Sequence, residues 1–122
     1  MTNHTPGGLP PIADPVGPVV QAGELADAVA EAVRIDNDDK RVDVRSRGSY
    51  VRIEVEGGEC ILRRTTIEEQ LGRPFKMRDL EVSMPSFVGR IETGTEQFRF
   101  WLGQRPGAAQ TDTEPTTQEV PA

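Results

Sequence analysis

The carboxylate, thiol and imidazole side chains are the groups in this sequence that could take part in catalysis or bind a metal ion. The 122-residue chain has 20 acidic residues, one cysteine and one histidine. The histidine, His4, lies among Pro, Gly and Thr residues outside the apolar part of the chain, so it is a poor candidate for a general base. Cys60 falls in a strand-like run, ECILRR. Without an imidazole to activate it, a small buried thiol is favoured over a nucleophile.

The acidic residues also show no spacing typical of a catalytic or metal site. Asp36, Asp38 and Asp39 could offer oxygen ligands to Mg²⁺ or Ca²⁺, but the glycine and the later glutamate of an EF-hand loop are not in register. Glu68 and Glu69 are adjacent on a predicted helix and therefore point to different sides. A zinc site needs more Cys and His than this chain has. We predict no catalytic residue, no metal site and no cofactor.

Composition predicts one small domain between two polar ends. Only 35% of the residues are hydrophobic, and both ends are rich in Pro, Gly and Thr. Such segments bury too little apolar surface to offset the entropy of ordering. We predict a disordered head over residues 1–15, a folded domain over 16–102 and a disordered tail over 103–122. That domain is large enough to fold alone.

Charge and cysteine content exclude several classes of partner. The net charge of −6 argues against nucleic acid and an anionic membrane, which both require clustered cations. We find no window of transmembrane length and no signal sequence. A single cysteine rules out an internal disulfide and fits a reducing compartment. The expected location is the cytoplasm.

Hydrophobic periodicity predicts the first half of the domain. Residues 16–20, VGPVV, form a short strand, and GELADAVAEAVRID has apolar residues at helical spacing, with 36–39 as the turn that ends it. Strict alternation predicts strands over 42–47 and 50–56. Gly57-Gly58 then separates two strand patterns, which predicts a tight hairpin between 50–56 and 59–64.

The second half is predicted to add short helices and another hairpin. Thr66 and Glu69 have capping-box spacing, Gly72 ends that helix, and FKMRDLEV forms another turn or two. FVGRIET and EQFRFWL read as a hairpin around Gly94. The predicted fold class is α+β: a single small domain of mainly antiparallel strands in two hairpins, with two or three helices on one side.

Several segments in order resemble a known family. YVRIEVEGG, ILRRTTIEEQLGRPFKMRDLEV, PSFVGRIETG and EQFRFW, together with the earlier VGPVVQAGELADAVAEAVRIDN, resemble the effector proteins of bacterial multicomponent di-iron monooxygenases. These proteins are also called coupling or regulatory proteins. The resemblance covers about residues 16–102 and is greatest to the toluene, benzene and alkene monooxygenase group, with methane and phenol monooxygenase regulatory proteins more distant.

The resemblance implies a non-catalytic, cofactor-free protein that docks on the di-iron hydroxylase. Members of this family reshape the hydroxylase active site and couple electron transfer and oxygen activation to hydroxylation or epoxidation of an aromatic or alkene hydrocarbon. A ferredoxin or reductase is expected to compete for an overlapping surface. The free protein is expected to be a monomer. The alternative from another class is a stand-alone α+β module that binds a small ligand and catalyses nothing.

Three segments are candidates for the hydroxylase interface. In the family, the segment matching Ser83–Arg90 faces the hydroxylase; its candidate residues here are Ser83, Met84, Pro85, Ser86, Phe87, Gly89 and Arg90. Pro85 suits a strand start or edge, and Gly89 leaves a gap that another backbone can approach. Phe87 faces either the partner or the core. The other candidates are Asp36 and Asn37 at the helix end, and Val16 and Val19 in the first strand.

Overall fold

The computed structural model describes residues 11–103. The outer parts of the predicted head and tail, residues 1–10 and 104–122, lie outside the described residues. Residues 13 and 14 sit against the folded domain, because the carbonyl groups of Ala13 and Asp14 accept hydrogen bonds from Gly57 and Gly58 at 3.1 and 2.9 Å. The division of the chain into head, domain and tail stays a prediction.

Residues 11–103 form seven strands and three helices, which confirms the α+β fold class. In chain order the elements are β1 (Gly17–Gln21), α1 (Glu24–Asp36), β2 (Val42–Arg47), β3 (Tyr50–Val55), β4 (Glu59–Arg63), α2 (Arg64–Leu71), α3 (Met77–Ser83), β5 (Ser86–Val88), β6 (Arg90–Glu92) and β7 (Gln97–Trp101). Sheet A has the strand order β2-β3-β1-β5, and sheet B the order β4-β7-β6. All pairings are antiparallel.

Alternation in β2 and β3 builds sheet A as the sequence predicts. The two strands form a hairpin in which Val44 lies opposite Ile53 and Val42 opposite Val55. Val51, Ile53 and Val55 are buried, while the residues between them face outward. Because side chains alternate between the two faces of a sheet, this pattern sets one apolar face towards the core.

The hairpin predicted at Gly57-Gly58 is wrong. β3 already pairs with β2 on one side and β1 on the other, so it has no free edge for β4. Both glycines have positive φ angles, 102° and 84°, as a tight turn requires. The turn carries the chain from sheet A into sheet B, where Cys60 pairs with Phe100 of β7.

The hairpin around Gly94 is confirmed, but its first strand is shorter than predicted. β6 pairs with β7, with Ile91 opposite Phe100. Residues 86–88, which the sequence joins to the same strand, belong to sheet A instead. The chain changes sheets at Gly89, where φ is 99°.

The helices and the apolar faces of both sheets share one core. It contains Val20, Ile53, Leu62, Phe98 and Phe100 from the strands, all at most 1% exposed. From the helices it takes Ala26, Val29, Ala30, Val33, Ile67, Met77 and Leu80. The four alanines buried on α1 allow this helix to lie close to its neighbours.

The capping box predicted at Thr66 and Glu69 is wrong. α2 begins at Arg64, so Thr66 lies inside the helix and is not its N-cap. No side chain forms a capping hydrogen bond at the start of α2. The Thr66 hydroxyl donates instead to the Asp36 carboxylate at 2.7 Å. The predicted end is confirmed, because Gly72 adopts a left-handed conformation and donates to the Glu68 carbonyl at 2.8 Å.

Candidate functional site

The segment from Ser83 to Arg90 forms a corner between α3, sheet A and sheet B. α3 ends at Ser83, and the N–H of Met84 donates to the Glu81 carbonyl at 3.3 Å. Pro85 then leads into β5, the edge strand of sheet A. This confirms the predicted place of Pro85 at the start of an edge strand, where its missing N–H costs no ladder hydrogen bond.

The free edge of β5 is poorly suited to adding another strand. Val16 exchanges hydrogen bonds with Val55 at 3.1 and 2.7 Å, which directs the polar groups of Gly17 and Val19 towards β5. Because the direction of the backbone polar groups alternates along a strand, the N–H and carbonyl of Phe87 point away from β1, towards the free edge. Pro85, two residues earlier, has no N–H to offer at this edge. A proline beside so short an edge discourages strand pairing. This corner therefore offers side chains, rather than backbone, for recognition.

Phe87 lies on the core-facing side of β5 and is also exposed at the sheet edge. It is opposite Pro18, and its ring centroid is 6.1 Å from that of Phe100 with the planes tilted by 53°. Nevertheless 38% of the residue is exposed. One side of the ring contacts the core, and the other is free to contact a partner.

Gly89 is required by the packing of the domain itself. A Cβ placed there would lie 2.6 Å from the Trp101 carbonyl oxygen and 2.9 Å from Cγ1 of Val16, and its φ of 99° disfavours any side chain. The close backbone approach predicted from the sequence exists, but the approaching backbone is that of Trp101. Gly89 thus fixes the turn that carries Phe87 and Arg90 on either side of it.

Val82 is an exposed apolar residue that sequence reasoning missed. It is 83% exposed on α3, beside the candidate segment, while Met77 and Leu80 of the same helix are buried. Helical geometry explains this, since a residue two positions from a buried one lies about 200° around the axis. The signal was present in the sequence, but a helix of seven residues gives too few repeats to show an apolar stripe.

The remaining members of the segment differ in exposure. Pro85, Ser86 and Arg90 are exposed, whereas Ser83 and Met84 are half-buried. Together with Val82 and Phe87, these residues make a mostly uncharged surface, which we call the corner surface; it consists of residues 82–87 and Arg90. Its apolar members are the kind of exposed side chains that mark protein–protein contact sites.

The first-strand candidates are structural in the free domain. Val16 is 0% and Val19 5% exposed. Val16 lies under Gly89, as the short distance to its methyl group shows. Val16 packs in the core, whereas Val19 is buried on the other face of sheet A, between Arg52 and Ser86.

Asp36 and Asn37 join the end of α1 to β4 and α2. The Asn37 amide donates to the carbonyls of Val33 and Ile61, both at 2.8 Å, and accepts from the Ile61 N–H at 2.9 Å. Asn37 is only 2% exposed. The Asp36 carboxylate accepts from the Arg63 N–H at 2.8 Å and from the hydroxyl of Thr66. These bonds satisfy groups of the edge strand β4 and the first turn of α2.

Cys60 and Glu68 are the titratable groups with the clearest structural roles. Burial raises the pKa of the Cys60 thiol to about 12. Hydrogen bonds from the Phe75 N–H at 2.9 Å and from Arg64 lower the pKa of the Glu68 carboxylate. Cys60 is thus held as a neutral thiol, and Glu68 anchors the α2–α3 connection. Among residues 11–103, no group of three or more His, Cys, Asp or Glu side chains is arranged to hold a metal ion.

An open groove of about 1260 Å³ lies between the α2–α3 connection and the turn at residues 93–96. It is the feature to which a small-ligand function would be assigned. One of its lining cations, Arg64, is already paired with Glu68 at 2.7 Å and Glu96 at 2.8 Å. Ligand sites instead combine an enclosed apolar wall with a few free polar groups. Within the described part of the chain, no helix is long and apolar enough to cross a membrane.

Comparisons with known proteins identify the class of protein that this fold and corner surface define. The profile of the MmoB/DmpM family matches residues 14–101. The effector subunit of the alkene monooxygenase system of Xanthobacter autotrophicus (strain ATCC BAA-1158 / Py2) is 46% identical over 86 residues, covering 70% of this chain and 84% of that protein. The relatives of this chain are named effector or regulatory proteins rather than catalytic subunits, so the class is that of a regulatory component.

Solved structures agree with this assignment. A chain in the structure of a phenol hydroxylase–regulatory protein complex superimposes with a TM-score of 0.63 and 25% identity, covering 73% of this chain and 99% of that one. The soluble methane monooxygenase regulatory protein B shares the fold, with a TM-score of 0.53 and 23% identity over 79% of this chain and 70% of that one. The chain belongs to the MmoB/DmpM family, the effector and regulatory proteins of multicomponent monooxygenases.

Proposed function

We propose that this protein binds the di-iron hydroxylase component of a multicomponent alkene or aromatic hydrocarbon monooxygenase through its corner surface. In this proposal it reshapes the hydroxylase active site and couples electron transfer and oxygen activation to substrate oxidation. A ferredoxin or reductase competes for the same surface of the hydroxylase. The free effector is a cytoplasmic monomer.

The observation that carries the proposal is the exposure of apolar side chains at one corner of the domain. The described residues include only four large hydrophobic side chains that are exposed, and two of them, Val82 and Phe87, lie on the corner surface. The similar phenol hydroxylase regulatory protein was solved in complex with its hydroxylase, which supports the choice of partner. Regulation by docking fits a domain whose cysteine is a buried neutral thiol.

In this proposal the corner surface acts on the hydroxylase through direct side-chain contacts. Phe87 is suited to this role because its exposed side meets the partner while its other side rests on Phe100. Val82 extends the apolar area, and Pro85 keeps the backbone at the strand edge from pairing. Asp36 and Asn37 hold α1 and β4 in place, and Val16 supports the corner from the core.

Two substitutions test the proposal with purified hydroxylase, reductase and ferredoxin. Val82→Ala removes an exposed apolar contact and is expected to leave the fold unchanged. Phe87→Ala removes the larger anchor and also part of a core contact. Truncating a central interface anchor commonly costs about 2 kcal/mol or more, which is a roughly thirtyfold weaker dissociation constant. The readouts are the affinity for the hydroxylase by titration and the product formed per NADH.

The matched control is Gln70→Ala, an exposed change on α2. We expect near-native affinity and coupling for this control, and weaker binding with lower coupling for both surface variants. If Val82→Ala and a folded Phe87→Ala both bind and couple like the native protein, the corner surface is not the interface. If the native protein does not bind the hydroxylase at all, the proposed function is wrong.

A further inference from the structure

The outer face of sheet A carries an exposed aromatic residue that is not part of the corner surface. The helices pack on the opposite face, since their buried side chains share the core with Val20, Val51 and Ile53. Tyr50 begins β3 and is 38% exposed, and the next residue, Val51, is buried. Alternation therefore places the Tyr50 ring on the outer face, which no helix of the described chain covers.

Strand register connects Tyr50 to the corner surface. Arg52, two residues further along β3, shares its face and lies opposite Val19, and Val19 lies opposite Ser86 of β5. Ser86 is two strands and two residues away from Tyr50, about 12 Å at the usual strand spacing and rise. A standard interface buries about 800 Å² on each partner, so one docking protein easily covers both places.

Charge on this face differs from that of the whole protein. The net charge of the chain is −6, yet the outward positions of β2 and β3 hold three arginines and two acids. Arg45 pairs with Asp43 at 2.7 Å and Arg52 with Glu54 at 2.8 Å. Arg47 lies opposite Tyr50 and is exposed, and among the described residues no acidic partner is found for it.

We infer that the hydroxylase-docking surface extends from the corner across the outer face of sheet A to Tyr50, and that Arg47 meets acidic side chains of the hydroxylase. This inference rests on the proposed function. The occupant is an uncharged surface of the hydroxylase with an acidic border. Tyr and Arg are the residue types most enriched at interface positions that dominate binding, and here they lie side by side. The neighbouring Arg45 and Arg52 are already paired with Asp43 and Glu54, so they add no net charge to this surface.

The test compares Tyr50→Ala, Tyr50→Phe and Arg47→Glu in titrations of the purified hydroxylase at two or more salt concentrations. We expect Tyr50→Ala to weaken binding about tenfold. Tyr50→Phe should keep most of the native affinity, because the ring supplies the contact area. Arg47→Glu is expected to weaken binding about tenfold at low salt and to reduce the dependence of affinity on salt. Circular dichroism confirms that each variant is folded.

Arg34→Glu is the control for charge reversal, because Arg34 is exposed on α1, away from this face. Native-like affinity of Tyr50→Ala and Arg47→Glu, with weaker binding of Val82→Ala, overturns the inference and leaves the proposed function standing. A salt dependence that Arg47→Glu and Arg34→Glu reduce equally overturns the role of Arg47. If the native protein does not bind the hydroxylase, the proposed function fails, and this inference fails with it.

Discussion

Replacing Asn37 with alanine is expected to destabilise the domain without changing its affinity for the hydroxylase. The side chain makes three hydrogen bonds of 2.8–2.9 Å and is 2% exposed. Each such bond contributes about 1 kcal/mol net, and more where its partner is left buried without a substitute. The expected loss in the free energy of unfolding is therefore about 3 kcal/mol. A domain of this size has roughly 5–10 kcal/mol, so the variant stays folded at 25 °C.

Urea unfolding followed by the fluorescence of Trp101, the single tryptophan, measures this loss. Asp38→Ala is the matched control, because Asp38 is the exposed neighbour in the same turn. The midpoint should fall for Asn37→Ala and stay within experimental error for the control, with unchanged slope. A loss below about 1 kcal/mol would refute the role assigned to these hydrogen bonds. A tenfold weaker affinity of the folded variant for the hydroxylase would instead return Asn37 to the interface.

Two further predictions concern the free protein. Gly89→Ala should lower the free energy of unfolding by several kcal/mol, because it adds a clash with backbone to a strained φ. The control Gly48→Ala, also at positive φ but in open space, should cost only about 1 kcal/mol. Equal losses in urea unfolding would contradict this. Cys60 should react with a thiol reagent at pH 8 only after unfolding, and fast labelling of the native protein would contradict this. Because folding raises the pKa of the thiol from 9.0 to about 12, its contribution to stability is complete below pH 9 and is lost as the pH rises towards 12.

The local elements of the fold followed from the sequence, but the partners of the strands did not. Alternation located β2 and β3, and helical spacing located α1, because both periods are properties of one segment. The hairpin at Gly57-Gly58 was wrong for a non-local reason. Whether β3 has a free edge depends on β1, which lies thirty residues earlier in the chain and occupies it. The two-glycine turn sets the direction in which the chain leaves β3, but the strand that β4 pairs with depends on which sheet edge is free.

The interface residues stay a prediction, and the packing of several of them could not be read from the sequence. Pro85 lies at the start of an edge strand, as predicted, but Phe87 belongs to sheet A and not to the hairpin around Gly94. Asn37 looked like an ordinary turn residue, and its three hydrogen bonds to β4 and α1 cannot be read from its neighbours in the chain. Tyr50 was overlooked, although its alternation with the buried Val51 already places it on the outward face of β3. Its exposure depends on which face the helices cover, and that is decided by tertiary packing.

The edge strand β5 limits aggregation at a corner that exposes apolar side chains. Exposed apolar residues such as Val82 and Phe87 beside a long open edge would favour aggregation, because a neighbouring chain could add a strand. β5 is three residues long and follows Pro85, so it offers little backbone for pairing. β4, at an edge of the other sheet, has its polar groups satisfied by Asp36 and Asn37. Because the β5 edge is unsuited to pairing, recognition at the corner depends on side-chain contacts. These contacts can be made and broken without rebuilding a sheet.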